Sequence, residues 1–114
     1  MQYSGCQINS VVDFGCGIGT WLKAFNDNGV KEILGLDGEW CNTDLLYKYI
    51  NKQQFKYVDM EMAISLDKTY DLVISLEVAE HISEKSADTF VRSLVNAGKV
   101  IFSSNSGTGR RPSC

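Results

Sequence analysis

Short uninterrupted apolar runs alternate along this chain with longer stretches in which apolar residues recur at helical spacing. The runs predict strands at Ile8–Phe14, Lys31–Asp37, Phe55–Asp59, Tyr70–Leu76 and Lys99–Ser103. Their apolarity is continuous rather than alternating, which suits strands buried on both faces of a parallel sheet. Between them the spacing predicts helices over Thr20–Asn28, Thr43–Asn51 and from Ser83 or Glu84 to Ala97, with a helical turn over Glu61–Leu66. Thr20 is expected to cap the first helix and Asn28-Gly29 to end it; Thr43 or Asp44 is expected to cap the second. Trp21 is expected to pack the first helix onto the sheet. The inward faces are expected to carry Leu45, Leu46, Tyr49 and Ile50 in the second helix, and Ala87, Phe90, Val91, Leu94 and Val95 in the last. Strands alternating with helices throughout indicate an α/β fold.

The first strand runs directly into Gly15, Gly17 and Gly19, spaced G-x-G-x-G with Cys16 inside the loop. Glycines permit sharp turns and close approach of backbone to a ligand. The helix that follows begins with N–H groups that have no intrahelical partner. Asp37 ends the second apolar run about 20 residues further on, where a carboxylate can accept hydrogen bonds from ribose hydroxyls. The pattern therefore describes a nucleotide-shaped pocket. It is not the G-x-G-x-x-G dinucleotide fingerprint, whose third glycine would fall at Thr20, and no phosphate loop of the G-x-x-x-x-G-K-[ST] type is present. Asp13, Asp37, Asp59 and Glu77 lie within or at the ends of four successive apolar runs. Ligands of open α/β sheets bind outside the carboxyl ends of the strands, so these acids are expected to face one crevice.

These segments resemble the class I S-adenosylmethionine-dependent methyltransferases. Val11–Gly19 looks like their first motif, Leu34–Gly38 like the ribose motif of strand two, and Val58-Asp59-Met60 like the adenine-contacting segment after strand three. Tyr70–His81, with Glu77-Val78-Ala79-Glu80-His81, looks like the strand-four motif of small-molecule members. The resemblance implies a Rossmann-like, doubly wound parallel sheet of about five strands in the order 3-2-1-4-5, with helices on both faces. It implies S-adenosyl-L-methionine as cofactor and a small-molecule methyl acceptor bearing an oxygen or nitrogen nucleophile. Asp13, Gly15, Cys16, Gly17, Gly19, Asp37, Gly38, Asp59, Met60 and Glu77 are then the expected cofactor-binding residues. Asp13 would orient the loop and the amino group of the methionine moiety, Asp37 would take the ribose, and Asp59 the adenine amine with Met60 against the ring. Trp40 is either an aromatic stacked on adenine or a core residue. His81, the sole histidine, is the expected catalytic residue as general base. Two other readings stand beside it: a ligand, with Glu77 and Glu80, to a divalent cation, or a residue that orients the strand-four loop.

Family members continue to a sixth and a seventh strand, whereas this chain is expected to stop after the fifth, as though truncated. Residues 1–105 would form the cofactor-binding core and 106–114 a disordered tail. The edge of the fifth strand would then invite self-association or a partner. A second reading follows, a non-catalytic cofactor-binding or interaction module. A third, an NAD-binding dehydrogenase domain, is disfavoured by the glycine spacing and by the lack of a Tyr-x-x-x-Lys pair.

Composition narrows the picture further. With 11 basic and 14 acidic side chains the net charge is −3, which leaves no electrostatic footprint for nucleic acid. No apolar run approaches membrane-spanning length, and the first residues lack the features of a secretory signal. Cys6, Cys16, Cys41 and Cys114 share no metal-ligand spacing, and reduced thiols in a cytoplasmic protein are expected.

Overall fold

The strand Ser10–Phe14 is buried along its whole length, and the rest of the molecule is arranged around it. A computed structural model describes residues 2–3, 6–75 and 82–103, with side chains over 8–75 and 82–98. In chain order the elements are β1 (Gln2–Tyr3), β2 (Cys6–Gln7), β3 (Ser10–Phe14), α1 (Thr20–Asp27), β4 (Glu32–Asp37), α2 (Thr43–Leu46), β5 (Phe55–Tyr57), β6 (Tyr70–Ser75), α3 (Ala87–Ala97) and β7 (Gly98–Ser103). Single 3₁₀ turns at Lys52–Gln54 and Glu84–Ser86 precede β5 and α3.

β3 to β7 form one sheet in the order β5-β4-β3-β6-β7, with every pairing parallel. This is the expected 3-2-1-4-5 order of a Rossmann-like sheet. The chain winds outward from β3 through β4 to β5, then crosses back to β6 on the other side. That reversal makes a switch point at the carboxyl end of β3, where ligands of such sheets bind.

Both faces of the sheet are covered, which is why its strands are apolar without alternation. Val11, Ile33, Leu72 and Ile74 pack with Leu22 of α1 and Leu46 of α2 on one side. Val12, Phe14, Leu36 and Val73 pack with Phe90, Leu94 and Ala97 of α3 on the other. Phe14 and Phe90 meet edge to face with centroids 6.1 Å apart, anchoring α3 beneath the end of β3.

Several local expectations are corrected. Gly19, not Thr20, is the N-cap of α1; its left-handed backbone (φ 84°) makes the turn, and no side chain caps the helix. Trp21 faces solvent, and Leu22 takes the inward position one residue on. The second helix spans only Thr43–Leu46 and is capped by Asn42, whose side chain accepts the Leu45 N–H at 3.2 Å. Turns continue to Ile50, where low-propensity aromatic and β-branched residues replace helix formers. Leu46 and Ile50 are buried there, while Leu45 and Tyr49 are exposed. Glu61–Leu66 makes a turn at its start and then runs irregularly rather than as a helix. In α3 the buried stripe is Phe90, Ser93, Leu94 and Ala97, so Val91 and Val95 lie on its solvent side. The β1–β2 antiparallel ribbon was not foreseen; its two-residue strands are too short to show a period.

Candidate functional site

The loop from Gly15 to Gly19 is stitched to the end of the neighbouring strand by its own backbone. The N–H groups of Gly15 and Cys16 both donate to the Leu36 carbonyl, at 2.7 and 3.1 Å, and Gly19 N–H closes the turn on the Cys16 carbonyl at 2.9 Å. Gly17 has φ 58° and open space where a side chain would stand. Its N–H is thereby turned inward onto Asp37 Oδ2 at 3.0 Å. The second Asp37 oxygen accepts the Gly38 N–H at 2.8 Å.

Asp37 is thus buried and fixed by two backbone donors among the described residues, which use about two of the four lone-pair positions a carboxylate offers. Gly38 is buried under the Trp40 ring, which lies where a Cβ would stand, although most of the tryptophan faces solvent.

Asp13 lies in the middle strand and is 2% exposed. Burial, with the charge of Asp37 adding to it, pushes its carboxyl up to about 7. Among the described residues its Oδ1 has no hydrogen-bond partner, and a buried acceptor without one is a costly feature in a fold. The geometry therefore holds one acid anchored by the loop and a second that awaits a donor.

Cys16 is buried under the same loop. The lack of a side chain at Gly35 makes room for it: a Cβ there would stand 2.7 Å from its Sγ. Cys41, in the loop after β4, directs its Sγ at the Gly17 carbonyl at 3.3 Å. Burial raises the pKa of both thiols, and the nearby Asp13 and Asp37 carboxyls add to the rise for Cys16, as does Asp37 for Cys41. The sequence analysis read Cys41 only as a reduced thiol; its meeting with Cys16, 25 positions earlier, was not foreseen because that spacing carries no signal. Gly35 could have been noticed, because a glycine inside a strand marks a close approach.

A loop of this construction, joined to a strand-end acid, is the setting in which family membership can be read, and a family model described as a methyltransferase domain matches residues 7–105. The chain belongs to this family. A ubiquinone biosynthesis O-methyltransferase, mitochondrial, from Dictyostelium discoideum is 27% identical over 108 residues, covering 82% of this chain and 34% of the relative. The chain thus spans about a third of the length of that curated relative. Among solved structures, the amino pentose methyltransferase CalS10 of Micromonospora echinaspora, with S-adenosylmethionine bound, superposes with a TM-score of 0.73 at 19% identity, over 85% of this chain and 42% of that one. The small RNA methyltransferase HEN1 does so with 0.67 at 22%, over 86% and 14%. At these identities the superpositions show the fold.

In this methyltransferase domain, the structure brings together Asp13, Gly15, Cys16, Gly17, Gly19, Asp37 and Gly38. The expected adenine segment runs beside them, with the Val58 N–H donating to the Asp37 carbonyl at 2.9 Å. Asp59 is exposed and accepts the Glu61 N–H at 2.9 Å, and the Met60 side chain is buried against Phe14 and Leu36. Glu77, Glu80 and His81 lie outside the described residues, and the cation expected there is not placed. No helix among the described residues is long and apolar enough to cross a membrane.

Proposed function

We propose that this chain binds S-adenosyl-L-methionine at the carboxyl ends of β3 and β4 and contributes to methyl transfer onto a small-molecule acceptor. The observation that carries this reading is the Asp37 carboxylate, held by Gly17 and Gly38 with acceptor capacity beyond those two bonds, beside the exposed tip of the glycine loop at Gly17 and Ile18. An adenosine ribose offers two adjacent hydroxyl donors, which match that capacity. The buried Oδ1 of Asp13 fits the amino group of the methionine portion, and its protonation equilibrium near neutrality lets it ionise when a cation arrives. Gly17 leaves room for a ligand against the backbone. Asp59 takes a lesser part at the rim, as acceptor for the adenine amine.

The bound cofactor supplies a methyl group already activated by a sulfonium leaving group. The chain's own work is then to hold, to align and to exclude water. For a hydroxyl acceptor a base is required as well, and His81 is the residue we assign to it. The small-molecule acceptor rests on the Glu-Val-x-Glu-His motif and on the likeness to a ubiquinone biosynthesis O-methyltransferase.

Calorimetric titration with S-adenosylhomocysteine, with NADH as the rival ligand, tests the reading. Micromolar binding of the first alone is expected. Binding of NADH instead, or of neither by a chain shown to be folded, would overturn it. Tight cofactor binding with no transfer to any of a broad acceptor pool would favour the non-catalytic module.

A further inference from the structure

Three groups of the site come from three different stretches of chain: Cys16 from the glycine loop, Asp37 from the end of β4, and Cys41 from the loop beyond it. Their ligand atoms all lie within 4.8 Å of one another. Both thiols turn toward a single backbone oxygen, that of Gly17, at 3.8 Å for Cys16 and 3.3 Å for Cys41. Tetrahedral zinc binds sulfur at about 2.3 Å and carboxylate oxygen at about 2.0–2.2 Å, which spaces its ligand atoms about 3.5–4 Å apart. Closing the trio onto an ion therefore takes about 1 Å of side-chain adjustment. Cys41 is half-buried and lies in the loop after β4, so its side chain has the freedom to make that movement.

We propose that Cys16, Cys41 and Asp37 form a binding site for a zinc-class divalent cation, with water completing a tetrahedron. The chemistry of the donor set selects the ion, because thiolate ligands favour zinc, cobalt and cadmium over magnesium and calcium. Each thiol binds as thiolate, so the ion's entry releases two protons to solvent, one from each cysteine, and no electrons move. Two thiolates and one carboxylate leave the occupied site with a single net negative charge. The Asp37 oxygens are already oriented by Gly17 and Gly38, as a ligand carboxylate usually is by its neighbours.

The site shares Asp37 with the proposed cofactor site, so occupancy by the ion is expected to weaken cofactor binding; that consequence rests on the reading above, whereas the ion site does not.

The test uses the full chain with Cys6→Ser and Cys114→Ser, so that thiolate signals arise from Cys16 and Cys41 alone. Titration with Co²⁺ is expected to raise a sulfur-to-cobalt charge-transfer band saturating at one ion per chain and abolished by stoichiometric Zn²⁺. Adding Cys41→Ser should weaken Co²⁺ binding about tenfold or more. Absence of the band, or an unchanged Co²⁺ affinity and band intensity in the Cys41→Ser chain, would overturn the proposal. Should Cys41→Ser not fold, alkylation of the unsubstituted chain with and without Zn²⁺ decides: joint protection of Cys16 and Cys41 supports the site, and equal labelling overturns it. S-adenosylhomocysteine is then titrated into metal-free and Zn²⁺-loaded chain. Weaker binding to the loaded form supports the shared carboxylate, and unchanged affinity with zinc in place removes Asp37 from the ion's ligands. If it binds neither form while the cobalt band persists, the cofactor reading fails and the ion site stands.

Discussion

Asp37 and Asp59 sit at the ends of neighbouring strands, β4 and β5, yet the structure treats them differently. Asp37 pairs in register with Tyr57 and is buried, with the N–H of Gly17, 20 residues away, and that of Gly38 on its two oxygens. Asp59, two residues beyond β5, is exposed and spends one oxygen on the N–H of Glu61 in its own turn. A strand end therefore supplies a place, and the backbone that returns to it supplies the role. The glycine loop comes back over β4 and offers a donor. Nothing comparable among the described residues returns over β5.

The largest effect expected is on the platform that both strand ends share. Phe14→Ala removes the ring that meets Phe90 beneath the loop, and should lower stability by about 3–5 kcal/mol, read as a shift of the urea midpoint. A loss of under about 1 kcal/mol would mean that α3 does not hold the end of β3 in place.

Next comes the contrast itself. A charge-assisted hydrogen bond is worth about 1.5–3 kcal/mol, so Asp37→Ala should weaken S-adenosylhomocysteine binding by about 10- to 100-fold in calorimetry. Equal affinity in a folded variant would put the ribose elsewhere.

Asp13 sharpens the comparison through pH. Its carboxyl titrates near 7 in the folded chain against an ordinary value of 3.8, so between these values the folded state holds more protons than the unfolded one. Stability from this group is then present at low pH, falls as pH rises from 3.8 to about 7, and is level above. Asp13→Asn should flatten that slope in urea midpoints measured across the window. A slope that survives the substitution would belong to another group.

Asp59→Ala should have the smallest consequence, about a 2- to 10-fold loss of S-adenosylhomocysteine affinity, because an exposed hydrogen bond competes with water. A loss as large as that of Asp37→Ala would erase the distinction between the two strand ends.

Much of this architecture was legible in the chain. Continuous apolar runs marked the parallel strands because both sheet faces must be covered, and the alternation of period identified the α/β class. The glycine trio and Asp37 were legible because turns and strand ends leave local signatures. Helix ends and helix faces were less so: Val91 and Val95 fit a helical period as well as Phe90 and Leu94 do, and only packing against the sheet chose between them.

The sequence by itself determined the strand order's raw material, the loop and its acid. The tertiary structure decided which acids are buried, that Asp13 Oδ1 has no partner among the described residues, and that Cys16 and Cys41 meet over Gly17. Local patterns encode contacts between near neighbours, whereas burial and the meeting of distant side chains depend on how β4 and the loops beyond it are laid beside β3. Spacing along the chain carries no record of that arrangement.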